Sequence, residues 1–469
     1  MSESTRMLLG LAIGIILMIV LVSKTKVHTF IALLIAAIVT ALIGGMSPAD
    51  LTLADGTVQK GIVTAIEEGF GNTLKSTGII IGLGVMMGGV LEKSGAAERL
   101  AYSFIRAVGK KKEEWALAIT GWFISIPVFA DSAVVIFAPL AKAISRVSGK
   151  SIVGLALAMA AGLQLTHCLV PPTPGPTTAA SMLGVDVGSM ILLGAVISIP
   201  MLIVAVFYCK WIGKKIYQIP REDGTFDRKE FKEEYIKSMD QLDELIGQKQ
   251  LPGLWASMAP IVVPLILILA NTVLGFVGLS EGPLYQFMEL VGSPIVALGI
   301  GTLLAIYGLM AKAPTKEVLK VMDTAIKDTG IIMLITGAGG SLGNVIKVSG
   351  IGDALGELVL NFPIPAVLIP FIIAALMRIA LGSATVAITT AASLSAPIAL
   401  QLGVSPLLLA QACCVGAISF SYFNDSGFWV WNGMFGVSEL KDQVRCKTAV
   451  SMIMAGVGIV ELLLLSIVM

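Results

Sequence analysis

From Ser405 to about Val437 the chain is apolar and long enough to cross a bilayer, except in its middle, which reads Ser419-Phe420-Ser421-Tyr422-Phe423-Asn424-Asp425-Ser426-Gly427-Phe428-Trp429. A carboxylate at mid-membrane depth costs about 3 kcal/mol on insertion scales. Asn, Asp, Ser and Gly in the same few residues also weaken a helix, through competing side-chain hydrogen bonds or backbone entropy. Irregular backbone at that depth persists only inside protein or beside a water-filled cavity. The segment 405–437 is therefore expected to be a broken helix lining a ligand site. An earlier stretch, from His167 through Val170-Pro171-Pro172-Thr173-Pro174-Gly175-Pro176 to Thr177, interrupts the segment 151–183 in the same way.

Composition places these breaks in a membrane. Of 469 residues, 56% are hydrophobic and 13% charged, against about 25% charged in a soluble domain. The deficit is spread over many apolar runs and implies an all-α polytopic protein of the cytoplasmic (inner) membrane, with the lipid bilayer as its surroundings. A net charge of +1 gives no reason to expect a nucleic-acid partner. Cys168, Cys209, Cys413, Cys414 and Cys446 lack metal-site spacing and read as small apolar residues. No metal or cofactor is expected. No small-residue cleavage site follows the first apolar run, which reads as a retained helix.

Lys and Arg mark cytoplasmic ends. Runs near 7–22 and 28–46 flank Lys24 and Lys26; an acidic outer loop with Asp50, Asp55, Glu67 and Glu68 follows, then a span at 76–92 and a basic segment from Lys93 to Lys112. The stretch 115–144 is too short for two spans, which need about 40 residues, yet basic residues flank both ends. A re-entrant hairpin from the cytoplasm, turning at Asp131 and Ser132, meets both constraints. The broken span 151–183 and a run at 188–208 complete a first repeat, 1–209. A charged cytoplasmic connector, 210–253, leads to the second repeat, 254–469. This has spans near 255–277, 291–310 and 330–347, a hairpin 363–404 entered from outside, the broken span 405–437 and a last span.

The two halves share this order. Thr77-Gly78-Ile79-Ile80 matches Thr329-Gly330-Ile331-Ile332, and Gly175 falls opposite Gly427. Five spans plus a hairpin put the second copy in from the opposite side. Such inverted repeats bind substrate at the midplane, between broken helices.

Four polar tips would meet there. Helix N-termini at the breaks suit an anion. Ser132, Thr173, Thr177, Ser383, Thr385, Asn424 and Ser426 can hydrogen-bond hydroxyls or a carboxylate, beside the glycines Gly175, Gly382 and Gly427. Arg378 can pair with a substrate carboxylate, or with an acid or carbonyl of the protein itself. Asp131, Asp425 and His167 are the titratable candidates for proton coupling. Each also has a structural reading: a helix cap for either Asp, a core histidine for His167. Ser148-Gly149-Lys150-Ser151 lacks the first glycine of a phosphate-binding loop, and no zinc or nucleophile signature is found.

At these residues the chain resembles the gluconate permeases, the gluconate:proton symporters, within the larger ion-transporter superfamily. The motifs are His167 with Val170 to Thr177, Arg378 with Gly382-Ser383-Ala384-Thr385, and Asn424-Asp425-Ser426-Gly427-Phe428-Trp429. The resemblance implies proton-coupled symport of gluconate or a related sugar acid; D-serine and glycerate carriers occur in the family. The superfamily implies a homodimer and an elevator motion. Thr173 and Tyr422 stand where family members often have histidine, Leu381 where they often have glutamine, and the first hairpin tip departs from the common pattern. Sodium coupling is the nearest alternative. A membrane-embedded enzyme using Asp131, Asp425 and His167 is the reading from another class.

Overall fold

Long apolar runs become helices because lipid leaves backbone groups no other partner. In this computed structural model residues 3–52, 56–108, 112–221, 225–228, 251–277, 282–351, 364–399, 401–422 and 425–468 are described. The first half contains α1 (Glu3–Lys24), α2 (Thr29–Gly44), α3 (Ile62–Lys93), α4 (Ala96–Val108), α5 (Glu113–Ile124), α6 (Ala130–Ser148), α7 (Ile152–Leu169), α8 (Pro174–Met182) and α9 (Val187–Lys215). The second contains α10 (Leu254–Val277), α11 (Pro283–Val291), α12 (Pro294–Leu309), α13 (Thr315–Val348), α14 (Leu368–Leu381), α15 (Ala384–Ser395), α16 (Pro406–Ile418), α17 (Ser426–Met434) and α18 (Leu440–Val468). Among the described residues six segments are long and apolar enough to cross a membrane, or eight if two bent pairs each count as one span. The bent pairs are Ile62–Lys75 with Thr77–Lys93 and Tyr285–Val291 with Pro294–Leu309.

Among the described residues helices α3 and α13 share the most extensive helix–helix contact. A Cβ on Gly69 would lie 2.5 Å from the Gly340 carbonyl oxygen, and one on Gly340 would lie 2.6 Å from that of Gly69. Small residues here let two backbones touch. Ser341 Oγ donates to Ile66 O at 2.9 Å and Asn344 Nδ2 to Ala65 O at 2.8 Å, tying the crossing. The expected span at 76–92 is thus the second part of a longer helix, bent by 43°. Ile62, Ala65, Gly69, Thr73 and Thr77 form a buried stripe at helical spacing, while Glu67 is exposed and Glu68 half-buried on the same helix. Glu67 and Glu68 therefore belong to α3 and not to a loop. Likewise α13 begins at Thr315, so Lys316, Lys320 and Lys327 lie on it. The basic segment after Lys93 contains the amphipathic helix α4.

The halves pack reciprocally. α1 lies on α2 and α10 on α12; α2 then packs on α13, and α12 on α3. α5 and α6 form one hairpin, α14 and α15 the other. At 1.5 Å per residue, α5, α14 and α15 reach about 18–21 Å, short of the roughly 30 Å hydrocarbon core. The first hairpin turns at residues 125–129, where Ser125 Oγ donates to Val128 O at 3.0 Å. This corrects the expected turn at Asp131 and Ser132: their backbone forms the first turn of α6, and their side chains lie outside the described residues. Glycines again set the packing. A Cβ on Gly162 of α7 would lie 2.0 Å from Ala118 O of α5, and one on Gly416 of α16 would lie 2.3 Å from Phe371 O of α14.

The connector is partly built into the bundle. After α9 a two-stranded ribbon, Gln218–Pro220 with Phe226–Arg228, packs its first strand against α6. Tyr217 Oη donates to Gly149 O at 2.6 Å, Gln218 Nε2 to Phe435 O at 2.8 Å, and Arg228 pairs with Asp442 at 2.6 Å. Residues 229–250 lie outside the described set. Beside the ribbon, Lys150 bridges Glu113 at 2.8 Å and Glu114 at 2.6 Å. Burial acts to lower the Lys150 pKa, but the two carboxylates outweigh it and hold the ammonium above its usual value.

Candidate functional site

Each broken helix is an apolar segment whose helical hydrogen bonding is interrupted part-way. α7 ends at Leu169; Val170 is extended, the Pro171–Pro172 peptide is cis, and α8 restarts at Pro174. Proline lacks an N–H, so within residues 171–176 only Thr173 and Gly175 carry one. Thr173 Oγ1 donates to Val170 O at 2.7 Å, and Thr177 Oγ1 to Thr173 O at 2.8 Å. Both threonines are buried, and each oxygen keeps lone pairs for a further donor. A Cβ on Gly175 would meet Ile388 Cδ1 at 2.7 Å, which brings the start of α8 onto α15. The His167 ring lies 5.7 Å from that of Phe129, at the turn of the first hairpin. Phe129, Pro127, Pro172 and Thr173 line a small cavity against Gly84 of α3.

At the second break α16 ends at Ile418 and α17 begins at Ser426. Phe420 has φ +52°, a left-handed conformation that is rare for a bulky side chain. Asp425 caps α17, its Oδ1 accepting from Gly427 N at 3.0 Å. Its Oδ2 accepts from Ser421 Oγ and from Arg378 Nη2, each at 2.5 Å. Arg378 and Asp425 are 3% and 8% exposed, so this is a buried ion pair. Arg378 also donates through Nη1 to Gly382 O, the turn of the second hairpin. Gly382 has φ +76°, which lets α14 end and α15 begin within two residues. Ser383 then caps α15, accepting from Val386 N at 3.4 Å, and Thr385 is buried in its first turn.

Reciprocal packing joins these parts: α8 lies on α15, and α17 lies on α6. Two glutamines tie the breaks to each other. Gln164 of α7 donates to Ile418 O, the last residue of α16, at 3.1 Å; Gln411 of α16 donates to Leu169 O, the last of α7, at 3.3 Å. Each satisfies a carbonyl orphaned by the other break.

The structure thus places His167, Thr173, Gly175, Thr177, Arg378, Gly382, Ser383, Thr385, Asp425 and Gly427 at two breaks and one hairpin turn that adjoin. Asn424 lies outside the described residues, as do the side chains of Asp131, Ser132 and Ser426. Arg378 meets an acid of the protein, and Asp425 is a cap and an ion-pair partner at once. Ser421, Gln164 and Gln411 were not singled out from the sequence. A glutamine within an otherwise apolar half-helix was the signal for the last two. Among the described residues no group of three or more His, Cys, Asp or Glu could hold a metal ion. What the arrangement offers is hydroxyls, a buried Arg378–Asp425 ion pair and a second buried cation, Lys447, on Gln164.

A model of the GntP family of permeases matches residues 6–468. The chain belongs to the GntP permease family. It is a multi-pass membrane permease and not an enzyme. An uncharacterized permease of Haemophilus influenzae is 44% identical over 98% of this chain and 92% of its own. A gluconate permease of Pseudomonas aeruginosa is 33% identical over 100% and 99%. Among solved structures, Neisseria gonorrhoeae MtrF, described as illuminating a class of antimetabolite efflux pumps, superposes with a TM-score of 0.65 at 14% identity, covering 96% of this GntP permease and 97% of MtrF. At that identity the likeness speaks for the fold alone.

Proposed function

We propose that this GntP permease is a secondary transporter of the cytoplasmic membrane that carries gluconate, or a related small hydroxycarboxylate, together with protons. Substrate would sit between the breaks, its hydroxyls on Thr173, Thr177, Ser383 and Thr385 and its carboxylate near Arg378. Asp425 is the leading proton carrier; Asp131 and His167 are the others. The observation that carries this reading is the buried Arg378–Asp425 pair at the junction of a helix break and a hairpin turn. A buried ion pair is weak evidence for stability, so its placement at that junction is better explained by use. The gluconate permease of Pseudomonas aeruginosa supports the substrate class.

Reciprocal packing of the two halves supports an inverted repeat with an elevator motion. A homodimer remains an inference from the superfamily. Purified protein in proteoliposomes should take up labelled gluconate faster when an inward proton gradient is imposed. No response of any sugar acid to that gradient would remove the reading. Transport that requires sodium at fixed pH would replace the proton by that ion.

A further inference from the structure

The ion pair poses a problem for any carrier of an anion. If Arg378 takes the substrate carboxylate, Asp425 is left buried without its cation, and an uncompensated buried charge costs several kcal/mol. If Asp425 then swings away in search of another partner, the empty site must be rebuilt in every cycle.

Around Asp425 the structure holds a buried network of hydroxyls. Ser421 is fully buried and donates to Asp425 Oδ2 at 2.5 Å. Ser421 is itself fixed from the last helix, α18: its N–H donates to Ser451 Oγ at 3.2 Å, and its carbonyl accepts from Thr448 Oγ1 at 2.7 Å. Ser451 Oγ in turn donates to Thr448 O at 2.8 Å. Thr448 closes a π-helical turn, Val444–Thr448, a distortion often found at functional sites. The residue before Ser421 is Phe420, whose left-handed backbone persists only when surrounding contacts impose it. Of the charged groups nearby, Lys447 donates from Nζ to Gln164 Oε1 at 3.3 Å, and Arg378 faces Asp425 from α14.

We propose that Arg378 changes partners during the cycle, from Asp425 in the empty carrier to the substrate carboxylate in the loaded one, and that Ser421, clamped by Thr448 and Ser451, holds Asp425 in place through the exchange. A hydroxyl is both donor and acceptor, so Ser421 donates to the carboxylate and accepts from the protonated acid without moving. The charges balance. The empty site holds Arg378 as a cation and Asp425 as an anion. The loaded site holds Arg378, the substrate anion and Asp425 with one proton, bound from the side on which the substrate entered. One monoanionic substrate and one proton cross together, and Arg378, Asp425 and what they hold carry no net charge in either state.

This rests on the transporter reading above, and the test separates the two. In proteoliposomes with gluconate, proton-driven net uptake and substrate counterflow are measured side by side. Counterflow cycles only the loaded carrier; net uptake also needs the empty return, in which the Arg378–Asp425 pair re-forms. Ser421→Ala should lower net uptake roughly tenfold or more, the factor a hydrogen bond to a charged group is worth, and Thr448→Val, which removes a bond to a neutral carbonyl, about threefold to tenfold. Counterflow should fall less than threefold. Ser421→Thr and Thr448→Ser, which keep the hydroxyls, should restore net uptake. If wild type carries gluconate and the hydroxyl-deficient variants match it in both assays, or lose both assays equally, the exchange is overturned while the transporter reading stands. If wild type carries no sugar acid, the transporter reading itself has failed.

Discussion

The break between α7 and α8 is built from proline; the break between α16 and α17 is built from polar and charged side chains. They occupy matching places, each followed by a nine-residue half-helix, and they solve the same problem by different means. At the first, Pro171, Pro172, Pro174 and Pro176 remove the N–H groups that would otherwise need partners in an apolar setting. Thr173 and Gln411 meet the nearby carbonyls. The result is a neutral wall that can select by shape. At the second, Asp425 takes up N–H and hydroxyl donors as a carboxylate, and Arg378 balances its charge. The left-handed Phe420 there costs about 1–3 kcal/mol of backbone strain. On the proposed reading the two breaks divide the work: charge chemistry at the second, contour at the first.

The comparison breaks most sharply at Arg378. Arg378→Ala should reduce gluconate uptake at least a hundredfold, since it removes the carboxylate's partner and leaves Asp425 buried alone. Its cost in stability, about 3–5 kcal/mol, should be largely relieved in the double variant Arg378→Ala with Asp425→Ala. Thermal unfolding in detergent would show that relief, while uptake stays absent. Uptake that survives in the double variant would place the anion elsewhere.

Next in size are the glycine contacts that hold each hairpin to its broken helix. Gly162→Ala and Gly416→Ala each push a methyl against a backbone carbonyl, and backbone cannot step aside as a side-chain end can. Each should lower stability by about 1–3 kcal/mol. If one half tolerated the change and the other did not, the halves would differ in packing as well as in chemistry.

Smallest is the effect expected at the proline break. Thr173→Val removes one buried hydroxyl without touching a charge, and should raise the gluconate KM several-fold with little change in maximal rate. A loss as large as that of Arg378→Ala would end the division between contour and charge.

Much of this was legible in the sequence because it rests on composition. Apolar runs located the helices, and clusters of Pro, Asn, Asp and Gly located both breaks. Arg378 and Asp425 stood out as charges at membrane depth, though nothing in their spacing told that they meet across 47 residues. Boundaries depending on tertiary packing were less legible. Glu67 and Glu68 suggested a loop, yet the stripe from Ile62 to Thr77 packs on α13 and makes a helix there. Asp131 and Ser132 suggested a turn, but Pro127 lies within the actual one at residues 125–129. The ribbon at 218–228 was hidden in a run of charges, because its order comes from Tyr217, Gln218 and Arg228 reaching distant partners. Ser421 stood in view, while its clamps Ser451 and Thr448 came only with the fold.

The central claim is that Asp425 releases Arg378 to the substrate and takes up the proton that travels with it. Asp425→Asn is the direct measurement, with net uptake, counterflow and gluconate binding read on one preparation. An asparagine keeps the cap but cannot carry a proton. Proton-driven net uptake should therefore vanish, counterflow should persist, and gluconate should bind more tightly because Arg378 has no competing acid. Net uptake at the wild-type rate and with the wild-type response to the proton gradient would contradict the account and leave Asp425 a helix cap.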